Sequence, residues 1–148
     1  MYTVGIIGGI GSGKSTMSAY LAARGASILS ADEVAREVRD RSDVALELEA
    51  EFGPGIRAAD GSIDSGELAE RAFSSPAATK ALDAICLPRI ERAMMKRIGE
   101  TRGERGMLVV EIPLYERGNE LVSAMDELVC LTAPCSMRLV RLVGRGMS

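Results

Sequence analysis

The sequence predicts an α/β protein, a parallel sheet wrapped by helices, and three observations carry that expectation. A short β-branched run, Thr3 to Ile7, stops at Gly8-Gly9 and gives way to helical spacing. Further strand-like runs at Ala26 to Leu29, Met107 to Ile112 and Glu127 to Thr132 alternate with amphipathic stretches, as parallel strands joined by helical crossovers require. Between the second and third runs lies a charged, helix-rich region at about 40–105, expected as an insertion beside the sheet.

Each element has its own signal. From Lys14 the apolar positions Met17, Leu21 and Ala22 recur at helical spacing, and Gly25 stands where a left-handed C-terminal cap is wanted. The second strand ends at Ser30-Ala31-Asp32, and Val34, Ala35 and Val38 mark the helix that follows. The middle reads as helices at Val44 to Phe52 before Gly53-Pro54-Gly55, Glu67 to Phe73, Ala77 to Ile85 and Arg89 to about Arg102, separated by short turns that include Asp60-Gly61. Pro113 and Pro134 close the last two strands, and Ser136 to Val143 is a basic amphipathic helix. All 148 residues are expected in one domain, a length that supports one core rather than two.

Composition removes several classes of function. Hydrophobic residues at 47% and charged residues at 26% describe an ordinary soluble domain, and no apolar run approaches a membrane span. A net charge of −3 gives no general attraction to nucleic acid. The start of the chain lacks the charged leader and longer apolar core of a secretory signal, so a cytoplasmic location is expected. Three cysteines, Cys86, Cys130 and Cys135, with no histidine, offer no familiar zinc spacing and read as ordinary thiols.

The chemistry sits in the glycine loop. Gly8, four residues, then Gly13-Lys14-Ser15 is the pattern of a phosphate-binding P-loop, and Gly9, Gly11 and Ser12 fill its turn. Glycines let consecutive N–H groups face a phosphate, and the next helix adds its positive end. Lys14 is expected to reach the β and γ phosphates of ATP, Ser15 to offer its hydroxyl to Mg²⁺, and Thr16 to donate to the α phosphate. The alternative is a glycine turn that merely starts a helix, which the strand before it and the helix after it disfavour. The expectation narrows to the three-layer fold of P-loop NTPases. No Asn-Lys-x-Asp guanine motif follows, which disfavours a GTPase.

Outside the loop, candidates carry two readings each. Asp32 is a general base for an acceptor hydroxyl, facing the crevice at the strand ends, or the N-cap of a helix starting at Glu33. Arg36, one turn on, holds an acceptor phosphate or is solvated. Glu111 orders the Mg²⁺ shell from outside the ion's direct ligands or simply ends a charged strand. Arg138, Arg141 and Arg145 form one basic stripe that either faces solvent or closes over transferring phosphates.

Taken together, Gly8 to Thr16, Ala31-Asp32-Glu33-Val34-Ala35-Arg36, Phe52-Gly53, Asp60-Gly61-Ser62-Ile63-Asp64, Leu87-Pro88-Arg89-Ile90, Ile112-Pro113-Leu114-Tyr115-Glu116 and Arg141-Leu142-Val143-Gly144-Arg145-Gly146 resemble dephospho-CoA kinases over essentially the whole chain. The resemblance implies ATP-dependent phosphorylation of the ribose 3′-hydroxyl of dephospho-CoA, with Asp32 as base. It also implies an acceptor region in the central helices with Pro113 and Leu114 in its wall, and a lid beginning at about 136–148 with Arg145. Ser30, Leu87 and Ser65 replace residues usual in that family, and Pro113-Leu114-Tyr115-Glu116 is one residue short of its pattern. Members of the family continue through more lid, a final strand and a helix that help hold adenine. A shortened chain with only part of the lid is therefore expected, and an ATP-binding remnant with weak turnover is the alternative to the full kinase. Another P-loop kinase with a different hydroxyl acceptor is the third reading.

Overall fold

The computed structural model describes residues 1–112 and 120–144. These fall into two compact units, one made of Met1–Ala31 with the chain from Met94 onward, the other of Asp32–Ala93.

The first unit carries the sheet. Its strands are β1 (Tyr2–Gly8), β2 (Ser27–Ser30), β3 (Met107–Glu111) and β4 (Glu127–Leu131), all parallel, in the order β2-β3-β1-β4. β1 lies between two partners, and Thr3, Val4, Gly5 and Ile6 are all buried, which explains the absence of in-out alternation in its sequence. β4 has one partner and stays half-exposed. Its start is anchored by a reciprocal pair: the Thr3 N–H donates to the Asp126 carboxylate at 2.7 Å and the Asp126 N–H to the Thr3 carbonyl at 2.9 Å. Because the strands are parallel, Gly8, Ser30, Glu111 and Leu131 all end on one edge of the sheet, with Glu111 level with both Ile6 and Ser30 and Leu131 level with Gly8.

Helix α1 (Lys14–Ala22) packs on β1, β2 and β3. It ends three residues before Gly25, whose φ of 93° lies in the left-handed region expected there.

The second unit is helical. It holds α2 (Ala31–Asp40, from its second residue), α3 (Ser42–Phe52), α4 (Ser65–Ala72) and the first part of α5 (Pro76–Thr101). The helical region read at about 40–105 thus falls on this unit and on the rest of α5. Arg71 ties α4 to the turn after α3 by donating to the carbonyls of Phe52 at 2.9 Å and Pro54 at 2.8 Å. No helix among the described residues is long and apolar enough to cross a membrane.

Two expectations are corrected here. The helices read at Ala77 to Ile85 and Arg89 to about Arg102 are one: α5 runs through Leu87-Pro88 and is 26 residues long. Proline removes one helical N–H donor, the one that would meet the Ala84 carbonyl. Ile85 and Cys86 are buried before the proline and Met94 and Ile98 after it, so burial outweighs local propensity. The second correction concerns Asp32, which is not the residue flanking a helix. α2 starts at Ala31 and puts Asp32 in its first turn, so the capping role read for it does not apply.

The real cap went unread at α4, where the Asp64 carboxylate accepts from the N–H groups of Gly66 at 2.9 Å and Glu67 at 3.0 Å. Asp64→Ala is expected to lower the stability of the protein by about 1 kcal/mol and Asp64→Asn by much less. Urea denaturation checks this, and equal losses in the two variants would show that charge rather than capping matters.

Candidate active site

The loop between β1 and α1 follows from its glycines. A Cβ on Gly8 would lie 2.5 Å from the Leu131 carbonyl oxygen, so only glycine lets β1 leave the sheet this close to β4. Gly13 stands at the helix N-terminus with φ 106°, a conformation side chains rarely adopt. One turn is closed by the Ser12 N–H donating to the Gly9 carbonyl at 3.1 Å, and Met17 is the first amide of α1 to bond back, to Gly13 at 3.0 Å. The N–H groups of Gly13, Lys14, Ser15 and Thr16 have no partner among the described residues.

Charge favours an anion at this point. The first turn of α1 has no acidic residue, so its positive end is not neutralised from within the helix. The Lys14 ammonium folds back over the loop, donating to the Gly8 carbonyl at 2.6 Å and reaching that of Gly9 at 3.5 Å. The Ser12 hydroxyl is buried with no partner, the kind of orphan a bound ligand satisfies. Gly8, Gly9, Gly11, Ser12, Gly13, Lys14, Ser15 and Thr16 thus lie on one loop at the carboxyl edge of the sheet, where open α/β sheets bind ligands, and its free donors are the amides of Gly13 to Thr16 and the Ser12 hydroxyl.

Beside the loop opens a cavity of about 390 Å³, bounded by Thr16, Met17 and Tyr20 of α1, by Leu131 and by Arg141. It was not read from the sequence, although Gly13, Thr16, Met17 and Tyr20 recur at three- and four-residue spacing. The Arg24 guanidinium stacks 3.4 Å from the centre of the Tyr20 ring and holds that wall. Its volume is within the range of ligand pockets.

Two arginines of the basic stripe bond to the loop from an exposed face. Beyond the short α6 (Glu120–Ser123), on α7 (Cys135–Val143), Arg138 donates from Nε to the Ile10 carbonyl at 2.8 Å, and Arg141 from Nη1 to the Gly11 carbonyl at 2.9 Å. Arg145, Pro113 and Leu114 lie outside the described residues.

Glu111 ends β3 half-buried, and no hydrogen bond or ion pair engages its carboxylate among the described residues. In the other unit, Asp32 and Arg36 stand one turn apart on α2, both exposed and both without a hydrogen-bond or ion-pair partner among the described residues. Of the cysteines, Cys86 is buried, and burial pushes its thiol up against the opposing pull of Arg39 and Arg89, while Cys130 and Cys135 are exposed and free.

Comparison with known proteins agrees with this picture. The sequence profile described as "Dephospho-CoA kinase" matches residues 2–147. A Corynebacterium jeikeium protein of that name is 43% identical over 97% of this chain and 74% of its own length. One from Frankia casuarinae is 43% identical over 99% of this chain, which spans 64% of that relative. The crystal structure of TT1252 from Thermus thermophilus superposes with a TM-score of 0.76 at 34% identity, over 99% of this chain and 74% of that one. A dephospho-CoA kinase from Campylobacter jejuni, 19% identical, shares the fold with a TM-score of 0.68. A phosphate loop in this setting, a profile match over nearly the whole length and relatives of this identity establish that the chain belongs to the dephospho-CoA kinase family.

Proposed function

We propose that this chain transfers the γ-phosphoryl group of ATP to the ribose 3′-hydroxyl of dephospho-CoA, giving coenzyme A and ADP. The observation that carries the reading is the loop itself: four unpartnered amides, an orphaned Ser12 hydroxyl and the Lys14 ammonium within one turn, on a chain of this family.

The amides of Gly13 to Thr16 take the α and β phosphates, and Lys14 leaves the Gly8 carbonyl to meet the β and γ oxygens as charge develops on them. The Tyr20 and Arg141 cavity receives the nucleoside part of ATP. Asp32 takes the proton of the 3′-hydroxyl as its oxygen attacks phosphorus, and Arg36, one turn away, pairs with the acceptor's own phosphates. Pro113 and Leu114 contribute to the acceptor wall, and Arg145 neutralises the transferring group as the lid closes and excludes water.

Ser15 and Glu111 suit a Mg²⁺ site, Ser15 with an exposed hydroxyl on the first turn of α1 and Glu111 with an unpaired carboxylate at the end of β3. Such an ion prefers oxygen donors and keeps several waters, which a carboxylate outside its direct ligands orders. Held there by Ser15, with Glu111 ordering its waters, it would supply positive charge that offsets that of the phosphates.

The test is phosphate transfer from ATP to dephospho-CoA, measured beside adenosine, uridine and shikimate. Dephospho-CoA is expected to be the preferred acceptor by at least a hundredfold in kcat/KM, with transfer abolished by EDTA and restored by Mg²⁺. Comparable transfer to another acceptor, or none to dephospho-CoA with Mg²⁺ present, refutes the proposal.

A further inference from the structure

We infer that Arg138 is a positioning residue for the phosphate loop, holding the Ile10–Gly11 peptide so that its N–H faces the phosphates. The inference rests on the proposed ATP site but concerns the outer side of the loop.

Three observations converge on this residue, two at its side chain and one at its backbone. Its Nε donates to the Ile10 carbonyl at 2.8 Å. A Cβ on Gly9 would fall 2.8 Å from its Nη2, so the absence of a side chain there leaves the room its guanidinium fills. A Cβ on Gly11 would come within 3.1 Å of the Arg138 carbonyl oxygen, so the α7 backbone itself lies against the loop.

The consequence follows from peptide geometry. A peptide unit is planar and trans, so its carbonyl and its N–H point in opposite directions. With the Ile10 carbonyl fixed toward α7, the Gly11 N–H faces away from α7, and it has no partner among the described residues. This peptide turns about ψ of Ile10 and φ of Gly11, and Gly11, at φ 77°, imposes little restraint on the second of these. A charged donor on the carbonyl supplies the restraint that the sequence leaves out. Arg141 does the equivalent at the Gly11 carbonyl, but the N–H of that peptide, on Ser12, already donates to Gly9. Arg138 therefore holds the peptide that has no restraint of its own.

This role differs from that of an arginine that contacts the transferring phosphoryl group. A positioning residue organises the nucleotide-free loop, so its loss should weaken ATP binding more than the chemical step. A phosphate contact formed in the transition state would lower kcat.

The experiment uses Arg138→Gln and Arg138→Met in the full chain, the methionine keeping an apolar stem if glutamine perturbs folding. Hydrogen exchange is measured without nucleotide, and KM for ATP and kcat with dephospho-CoA. The expected result is exchange at the Ser12 amide at least fivefold faster, exchange in β1 and β3 unchanged, KM for ATP raised about tenfold and kcat within threefold. Unchanged Ser12 exchange in the nucleotide-free protein overturns the inference, as does a fall in kcat with KM unaltered. The exchange readout needs no turnover, so it separates failure of this inference from failure of the proposed kinase reaction.

Discussion

Lys14→Ala is expected to reduce phosphoryl transfer by at least a hundredfold while leaving the melting temperature nearly unchanged. Among the described residues its ammonium hydrogen-bonds to the carbonyls of Gly8 and Gly9 alone. The cost to the fold is therefore confined to two hydrogen bonds at the protein surface, which contribute little. The cost to the reaction is of another size: a cation brought onto the charge that develops on the transferring phosphate is worth about 3 kcal/mol or more. Steady-state kinetics at saturating ATP, beside thermal melting by circular dichroism, separates the two. Turnover at the parent rate in a folded Lys14→Ala protein would remove the phosphate loop from the mechanism.

The phosphate loop was legible because its chemistry is carried by consecutive backbone groups. Glycine identity at positions 8 and 13 reports directly on conformation, and Lys14 and Ser15 follow at fixed reach. The four parallel strands were legible as short apolar runs between turn signals, most clearly the central pair β1 and β3, whose residues are buried in succession. What the sequence hid were contacts between segments far apart in the chain. Arg138 and Ile10 are 128 residues apart, and helical spacing shows only that Arg138 and Arg141 share a face, not that the face meets loop carbonyls. The cavity beside Tyr20 needs β4 and α7 for its far wall, so α1 alone does not announce it. The split into helices at Ala77 to Ile85 and Arg89 to about Arg102 failed for the opposite reason: the local pattern breaks there, but burial of Ile85 and Cys86 on one side and Met94 and Ile98 on the other favours one continuous helix. At Asp32 the error was one of register, because the helix starts two residues earlier than Val34 and Val38 alone suggest.

Asp32→Asn tests the remaining half of the proposed site, and the register of α2 sharpens what it should show. Asp32 lies in the first turn, with Glu33 beside it, so its charge adds a favourable term at the positive end of the helix. Losing that term costs at most about 1 kcal/mol, because the effect is modest at exposed positions and Glu33 retains a negative charge in the same turn. Asparagine matches the carboxylate in size and keeps an acceptor oxygen, but it cannot take a proton from a hydroxyl at neutral pH. If Asp32 is the base, turnover should fall by at least about a hundredfold while KM for ATP stays close to the parent value, since the nucleotide does not rely on this side chain. Asp32→Glu should recover part of the activity by restoring a carboxylate at a slightly wrong reach. The measurements are kcat with dephospho-CoA, KM for ATP, and melting temperature for all three proteins. A drop in melting temperature with full activity per folded molecule would mean that the carboxylate serves only the helix, and the proton acceptor would have to be sought elsewhere in the site.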